Sequence, residues 1–314
     1  MNAEPYVIYS AVAAAVTCLL LGMLAAATFR ERRRRGRDAA LRTKYLHILM
    51  LSLTAPAPTP PLFPQLRRPG ARLLLAEAVA GVVAVTYGLD PAPLRRVVAR
   101  YGIDSWLMTR ARRRRGYRRA RYLALLSRLP VDGAVAEAAG RYVRSRNRYV
   151  RFYALAVRLA ADPATALRQM GEYPYPFSAA EVAEIMALLR RGMLPVAYGP
   201  LMASPLSNLR KVGLCIVRQF GIEEAEAQLL RIVAEDEVEE LGLEALYTLC
   251  SMRRPLGRGE VAARVARLTP AQRKALLRHM AFEGYTPGAL RRLFDPADRP
   301  YYESLVRSYK RSLA

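Results

Sequence analysis

The sequence predicts an all-α protein in which one N-terminal transmembrane helix precedes an array of short stacked helices. Three observations predict this class. An uncharged run of 23 residues ends at a cluster of arginines, and the chain beyond it shows 10–16-residue helical patterns without strand-like alternation. A small residue followed by leucine also recurs at similar intervals. With 314 residues, 53% of them hydrophobic, the chain is long enough to bury a large core.

The first element is the uncharged run from Tyr6 to Thr28, which is about as long as a hydrocarbon core of ~30 Å requires. The arginines that follow it favour a cytoplasmic position for the rest of the chain. We therefore predict a transmembrane anchor over residues 1–29, with the N-terminus outside. A cleaved export signal is the alternative, since Ala25 and Ala27 resemble a cleavage site, but signal cores span only ~7–15 residues. The predicted topology-setting residues are Arg30, Arg32, Arg33, Arg34, Arg35 and Arg37.

Three further segments follow the anchor. Residues 30–54 are predicted to form a basic juxtamembrane helix, and 55–66 a Pro-rich linker, because closely spaced prolines cannot continue a helix. Residues 67–314 are predicted to form a helical-repeat domain. Within it Leu73–Gly88 is apolar but carries Glu77, so a buried amphipathic helix is favoured over a second span or a re-entrant segment.

The repeat is carried by a pair of adjacent residues, one small and one leucine. The small residue lets one helix approach its neighbour closely, and the leucine fills the core between them. A helical unit of about 30 residues cannot bury its apolar face alone, so neighbouring units must stack as an α-solenoid of helical hairpins. The pairs begin at Ala124, Ala154, Ala187, Gly213, Gly242 and Ala275, at intervals of 30, 33, 26, 29 and 33 residues.

From roughly Pro91 to Ala314 this pattern resembles the HEAT/armadillo-like superfamily of stacked helical hairpins, and Asn147–Arg151 looks like the entry to a HEAT first helix. The irregular spacing and the loop at 171–178 depart from clean repeats. The whole layout is also similar to bacterial inner-membrane HEAT-repeat proteins that accompany polysaccharide-synthesising glycosyltransferases. That resemblance implies a location in the bacterial inner membrane and a membrane glycosyltransferase as partner.

Charge is unevenly distributed along the chain. Residues 1–148 hold 27 Lys and Arg against 8 Asp and Glu, out of a net charge of +24. The densest cluster, residues 110–121, is predicted to bind anionic lipid headgroups or an acidic membrane-bound partner. A solvated helix end is the plainer interpretation, and nucleic acid is the least favoured, supported only by Tyr117 and Tyr122 among the arginines. The predicted binding residues are Arg110, Arg112, Arg113, Arg114, Arg115, Arg118, Arg119 and Arg121.

Residues 223–244 are acidic and are interpreted as either a solvated ridge or a docking face for a basic partner segment. Tyr173, Tyr175 and Phe177 lie in a proline-broken loop, where they either tuck over the core or serve as exposed anchors. The predicted docking residues are Glu235, Asp236, Glu237, Glu239 and Glu240.

Signs of catalysis are few. His47 and His279 are predicted to be packed or helix-face residues, and neither a nucleotide-binding loop nor a metal-ligand spacing is present. Trp106 and Asp104 near the arginines faintly resemble the aromatic and acidic residues of alkylpurine DNA glycosylases. A membrane anchor makes a role in DNA repair implausible. The sequence therefore predicts a non-enzymatic, membrane-anchored cytoplasmic scaffold for a protein partner, without a cofactor. The alternative is a membrane-tethered basic solenoid that binds nucleic acid.

Overall fold

The computed structural model describes residues 4–54, 60–68, 70–86, 90, 92–162, 165–191, 197–236, 238–257, 259–290 and 293–313. For residues 4–16, 18, 191, 289–290 and 310–313 it describes the backbone alone. The predicted all-α class is confirmed: most of the described residues are helical, and they contain no strand.

The chain divides into two compact units, Met1–Ala138 and Ala139–Ala314. The helices of the first unit are α1 (Glu4–Thr54), α2 (Ala71–Val85), α3 (Ala92–Arg100), α4 (Ile103–Arg112) and α5 (Gly116–Leu126), and α6 (Gly133–Gly140) crosses the division. The second unit contains α7 (Arg148–Ala161), α8 (Ala166–Gly171), α9 (Ala179–Arg191), α10 (Tyr198–Met202), α11 (Ser207–Phe220), α12 (Glu226–Glu235), α13 (Glu239–Ser251), α14 (Gly259–Ala266), α15 (Pro270–Phe282) and α16 (Arg299–Leu313).

The prediction of a transmembrane helix is contradicted. No helix within the described residues is both long and apolar enough to cross a membrane. Helix α1 is 51 residues long, but the side chains of residues 4–16 and 18 lie outside the description. The described apolar stretch from Leu19 to Phe29 is only about half of the ~20 residues that a span needs before the arginines begin. The prediction of a single-pass inner-membrane protein with a cytoplasmic domain depended on this span, and it is corrected with it.

The C-terminal part of α1 instead packs within the first unit. Tyr45 and Leu49 are fully buried, and α1 contacts both α2 and α3. The Tyr45 hydroxyl donates to the Pro64 carbonyl oxygen at 2.8 Å, and the Tyr101 hydroxyl donates to that of Pro61 at 2.8 Å. The ring of Phe63 lies between these two tyrosines, 5.4 Å and 5.5 Å from their ring centroids. The described end of the Pro-rich segment is therefore fixed to α1 and to the residue that follows α3.

Two predicted segments follow the juxtamembrane helix, the Pro-rich linker and the apolar segment after it. Residues 55–59 of the predicted linker lie outside the described residues, and the borders at 29/30, 54/55 and 66/67 stay predictions. The buried helix predicted over Leu73–Gly88 is confirmed as α2, of whose fifteen residues seven are buried.

In the second unit the longer helices stack in chain order. Helix α7 contacts α9, α9 contacts α11, α11 contacts α13, and α13 contacts α15. Shorter helices cover this row, with α10 on α11 and α12 on both α13 and α14. Local signals set the helix ends: the Asn147 side chain accepts from the Val150 amide at 3.1 Å, and Gly221 ends α11 with a φ of 61°.

The small–leucine pairs have the predicted packing role where α10 crosses α11. Gly213 is buried there, and Leu214 beside it is 1% exposed. A Cβ at Gly213 would lie 2.9 Å from Met202 Cγ and 3.0 Å from Leu201 Cβ, so this approach requires a residue without a side chain. At Gly242 the space is taken by the Arg264 guanidinium, which a Cβ would overlap.

Candidate functional site

Four consecutive arginines, Arg112–Arg115, form the turn between α4 and α5, and we call them the arginine turn. Helix α4 ends at Arg112, and α5 begins at Gly116, whose φ of 53° suits a residue without a side chain. All four arginines are exposed. Within the described residues their side chains have neither a hydrogen bond nor an ion pair. The turn therefore presents four unneutralised guanidinium groups to solvent.

The other predicted arginines of this cluster surround the turn, and most of them have partners. The Arg110 guanidinium lies over the Trp106 ring at 5.3 Å, a cation–π distance. Arg119 Nε donates to the Ala111 carbonyl oxygen at 3.1 Å and ties α5 to the end of α4. Arg121 pairs with Glu77 at 3.6 Å, while Arg118 is exposed on α5. The structure thus brings the eight predicted residues around a single turn.

The electrostatics of the two helix ends differ. Arg110 and Arg112 stand in the last turn of α4, where positive charge suits the helix dipole. The first turn of α5 has no acidic residue, and Arg115 at its N-cap forms no side-chain capping hydrogen bond. Positive charge at a helix N-terminus is unfavourable by about 0.3–1 kcal/mol per residue, so a bound anion would relieve the repulsion there.

The surrounding unit does not neutralise this charge. Residues 1–138 hold 23 Lys and Arg against 8 Asp and Glu. The predicted topology-setting arginines Arg30, Arg32, Arg33, Arg34, Arg35 and Arg37 are all exposed on α1. Two of them form exposed ion pairs one helical turn away, Arg34 with Asp38 at 3.7 Å and Arg35 with Glu31 at 2.9 Å. Their topology role depended on the contradicted span.

The predicted acidic docking residues occupy different environments. Asp236 is paired with Arg210, and Glu240 lies 2.7 Å from the buried Lys211 Nζ. The first pair connects α11 to the segment between α12 and α13, and the second connects α11 to the first turn of α13, so these two carboxylates hold neighbouring helices together. Glu235 and Glu239 are exposed, and Glu237 lies outside the described residues. Docking of a basic partner at this segment stays a prediction.

The aromatic loop at 171–178 packs inward, as one of its two interpretations predicts. Tyr173 and Phe177 are buried with their rings stacked 5.1 Å apart. Tyr175 is half-buried beneath the Arg151 guanidinium, which lies 3.8 Å from the ring centroid. The Asn208 side chain accepts a hydrogen bond from the Phe177 amide at 2.9 Å and donates one to the Tyr175 carbonyl oxygen at 2.8 Å. The loop therefore serves packing between α8, α9 and α11.

A polar cluster that sequence reasoning missed lies between α13 and α15. His279 Nε2 is 3.0 Å from Ser251 Oγ and 3.2 Å from the Tyr247 carbonyl oxygen, while Ser251 Oγ donates to Glu283 Oε1 at 3.1 Å. A carbonyl oxygen only accepts, so Nε2 carries a hydrogen and donates. His279 therefore cannot take the Ser251 proton through this nitrogen, and the arrangement does not activate Ser251 as a nucleophile.

The same region contains an open cleft, whose lining residues include Arg218 from α11 and Tyr247 from α13. The sequence contains a signal that could have identified Arg218 and Tyr247. Arg218 and Tyr247 each stand five residues after the small residue of a repeat pair, Gly213 and Gly242. Residues at the same offset in stacked repeats lie side by side, so this register alone predicts a shared surface.

Comparison with known proteins adds no relative: no protein family, no curated protein and no solved structure matches this chain. The resemblance to HEAT/armadillo-like proteins stays a prediction. The helical stack of the second unit agrees with it but does not identify that superfamily.

Proposed function

We propose that this protein is a non-enzymatic helical scaffold that binds an acidic partner protein through the arginine turn. The observation that carries this proposal is the run of four exposed guanidinium groups, Arg112–Arg115, at the N-terminal end of α5, which have no hydrogen-bond or ion-pair partner in the part of the chain that the structure describes. Nothing in the packing of α4 against α5 accounts for them, since α5 is tied to α4 through Arg119 instead.

An acidic protein suits this surface for two physical reasons. A guanidinium binds a carboxylate through two parallel hydrogen bonds, which adds geometric specificity to the electrostatic attraction. Arginine is also enriched in protein interfaces relative to the rest of the surface. A row of stacked helices such as α7–α15 provides the extended surface typical of scaffolds.

Nucleic acid is the second candidate because of one aromatic side chain. Tyr117 follows the turn directly and is 75% exposed. An exposed ring between arginines matches the way single-stranded nucleic acids are bound, with bases stacked on aromatics and phosphates on guanidinium groups.

Two earlier expectations about the partner have lost a premise. Anionic lipid headgroups were expected because the N-terminal helix would hold the cluster at a bilayer. A membrane glycosyltransferase was expected from the resemblance of the whole layout, which includes that helix, and the span is contradicted. Both stay predictions.

The test uses the full-length protein and three defined probes: a fluorescein-labelled oligoglutamate peptide, a labelled 20-nucleotide single-stranded DNA, and vesicles containing phosphatidylglycerol. The variant carries Arg112→Gln, Arg113→Gln, Arg114→Gln and Arg115→Gln. The matched control removes the same charge from α1 through Arg30→Gln, Arg32→Gln, Arg33→Gln and Arg37→Gln.

We expect the turn variant to bind oligoglutamate at least about tenfold more weakly, since each lost charge-assisted hydrogen bond contributes about 1.5–3 kcal/mol. The α1 control should lose much less. Tighter binding of the DNA than of the peptide, with a steep loss on adding salt, would favour the second candidate. Equal losses for both variants would show that net charge, not the turn, carries the binding, and the proposal would fail.

A further inference from the structure

The open cleft of the second unit lies where α11, α13, α15 and α16 meet, and its volume is 340 Å³. That size is at the lower end of the range for small-ligand sites. Residues 275, 278, 279 and 282 of α15 line it, a spacing that places them on one face of the helix. The lining includes Arg218, Tyr247, Arg278, His279, Phe282 and Tyr309.

The cleft holds one guanidinium that is not neutralised. Arg218 Nη1 lies 3.0 Å from Glu244 Oε2, so the charge of Arg218 is compensated. Arg278 is exposed and has neither a hydrogen bond nor an ion pair within the described residues. Glu283, the other nearby carboxylate, is engaged by the Ser251 hydroxyl. An anion entering the cleft would therefore find Arg278 available.

Aromatic side chains line the same cleft as this guanidinium. Phe282 stands one helical turn from Arg278 and is 69% exposed, and its ring meets that of Tyr309 edge to face at 6.0 Å. The Tyr247 ring meets His279 edge to face at 5.1 Å. Burial, together with the Glu244 carboxylate, raises the pKa of Tyr247, so its hydroxyl stays neutral. An aromatic ring beside an arginine suits a ligand that carries both an apolar ring and an anionic group.

We propose that this cleft binds an aromatic carboxylate. The Arg278 guanidinium receives the carboxylate through paired hydrogen bonds, and the ring of the ligand packs against Phe282 and Tyr309. The required chemistry is the same for a free aryl acid and for a peptide that ends in an aromatic residue. This site belongs to the second unit and does not depend on the arginine turn.

The test titrates the full-length protein with 2-naphthoate by isothermal calorimetry. We expect Arg278→Gln to weaken binding about 10- to 100-fold, as the loss of a charged hydrogen-bond partner does. Phe282→Ser should weaken it about 2- to 10-fold. Arg231→Gln, which removes an exposed arginine from α12, is the matched control and should bind like the parent. The neutral isostere 2-naphthalenemethanol should bind the parent about 10- to 100-fold more weakly than 2-naphthoate.

A second probe separates the two sources of the ligand. The peptide acetyl-Gly-Gly-Phe is titrated as its free acid and as its C-terminal amide. Binding of the acid but not the amide, with the same dependence on Arg278, supports the proposal with a peptide as the source. Failure of both acids to bind, or equal binding of 2-naphthoate and its alcohol, overturns it. The arginine-turn variant should bind 2-naphthoate like the parent, so the two proposals can fail separately.

Discussion

One added methyl group at Gly213 tests the close approach of α10 and α11. A Cβ at this position would lie 2.9 Å from Met202 Cγ, 3.0 Å from Leu201 Cβ and 3.1 Å from the Met202 backbone nitrogen. Favourable contacts between non-bonded carbon atoms lie at about 3.5–4.0 Å. Two of these three atoms belong to the backbone or are fixed to it, so rotation of a side chain cannot relieve the overlap. Helix α10 itself must move.

The expected magnitude follows from two opposing effects. Replacing glycine by alanine inside a helix favours folding by about 0.5–1 kcal/mol, because the unfolded chain loses freedom. Overpacking a tight contact costs about 1–3 kcal/mol. The second effect dominates where backbone atoms are the obstacle, so Gly213→Ala should lower the free energy of unfolding by about 1–2 kcal/mol.

The assay is urea denaturation followed by circular dichroism at 222 nm. Gly259→Ala in the first turn of α14 is the matched control, because a Cβ there meets no atom within 4 Å. This control should be as stable as the parent or more stable by up to about 1 kcal/mol. If Gly213→Ala proves as stable as Gly259→Ala, then α10 moves without a cost in free energy, and the small residue of the repeat pair has no packing role.

Three further predictions concern contacts between neighbouring helices. Burial would raise the pKa of Glu181, but hydrogen bonds from Arg148 and Ser178 more than offset it and hold the pKa below its usual value. The stability that Glu181 contributes is therefore present above the unfolded pKa and is lost as pH falls through the folded pKa. Glu181→Gln should cost about 1–2 kcal/mol in urea denaturation at pH 7, and parent and variant should converge as the pH is lowered below the folded pKa. The Arg264 guanidinium donates to two carbonyl oxygens over Gly242, so Arg264→Ala and Gly242→Ala should each destabilise by about 1–3 kcal/mol, and a double-mutant cycle should show non-additive losses; additive losses would refute the coupling. Ala154→Leu, at a fully buried position of α7, should reduce the free energy of unfolding by about 1–3 kcal/mol through overpacking, and this loss should lower the thermal midpoint. An unchanged midpoint would contradict the packing assigned to Ala154.

The sequence predicted those features that depend on local properties. Helical periodicity and prolines indicated the all-α class, and the need for a small residue where two helices meet identified Gly213. The buried α2 was predicted because Glu77 makes a membrane position costly, and Glu77 in fact lies near Arg121.

Other features depend on residues that only the tertiary register brings together. Asp236 and Glu240 belong to a segment that reads as an acidic ridge, yet their partners Arg210 and Lys211 stand 26 and 29 positions earlier. At Gly242 the small residue makes room for a guanidinium and not for a helix. No pattern in the sequence distinguishes these two uses of a small residue. The membrane span was predicted from the uncharged run Tyr6–Thr28, whereas the described apolar stretch, Leu19–Phe29, has only about half of the ~20 residues that a span needs.

The single tryptophan of the chain has a practical consequence. Trp106 is the one indole in 314 residues, and the guanidinium that covers it, Arg110, stands at the edge of the arginine turn. Indole emission responds to the charge next to the ring. An anion that draws Arg110 away from this position will therefore change the fluorescence excited at 295 nm. The protein carries its own optical reporter for occupancy of the turn, and it needs no label.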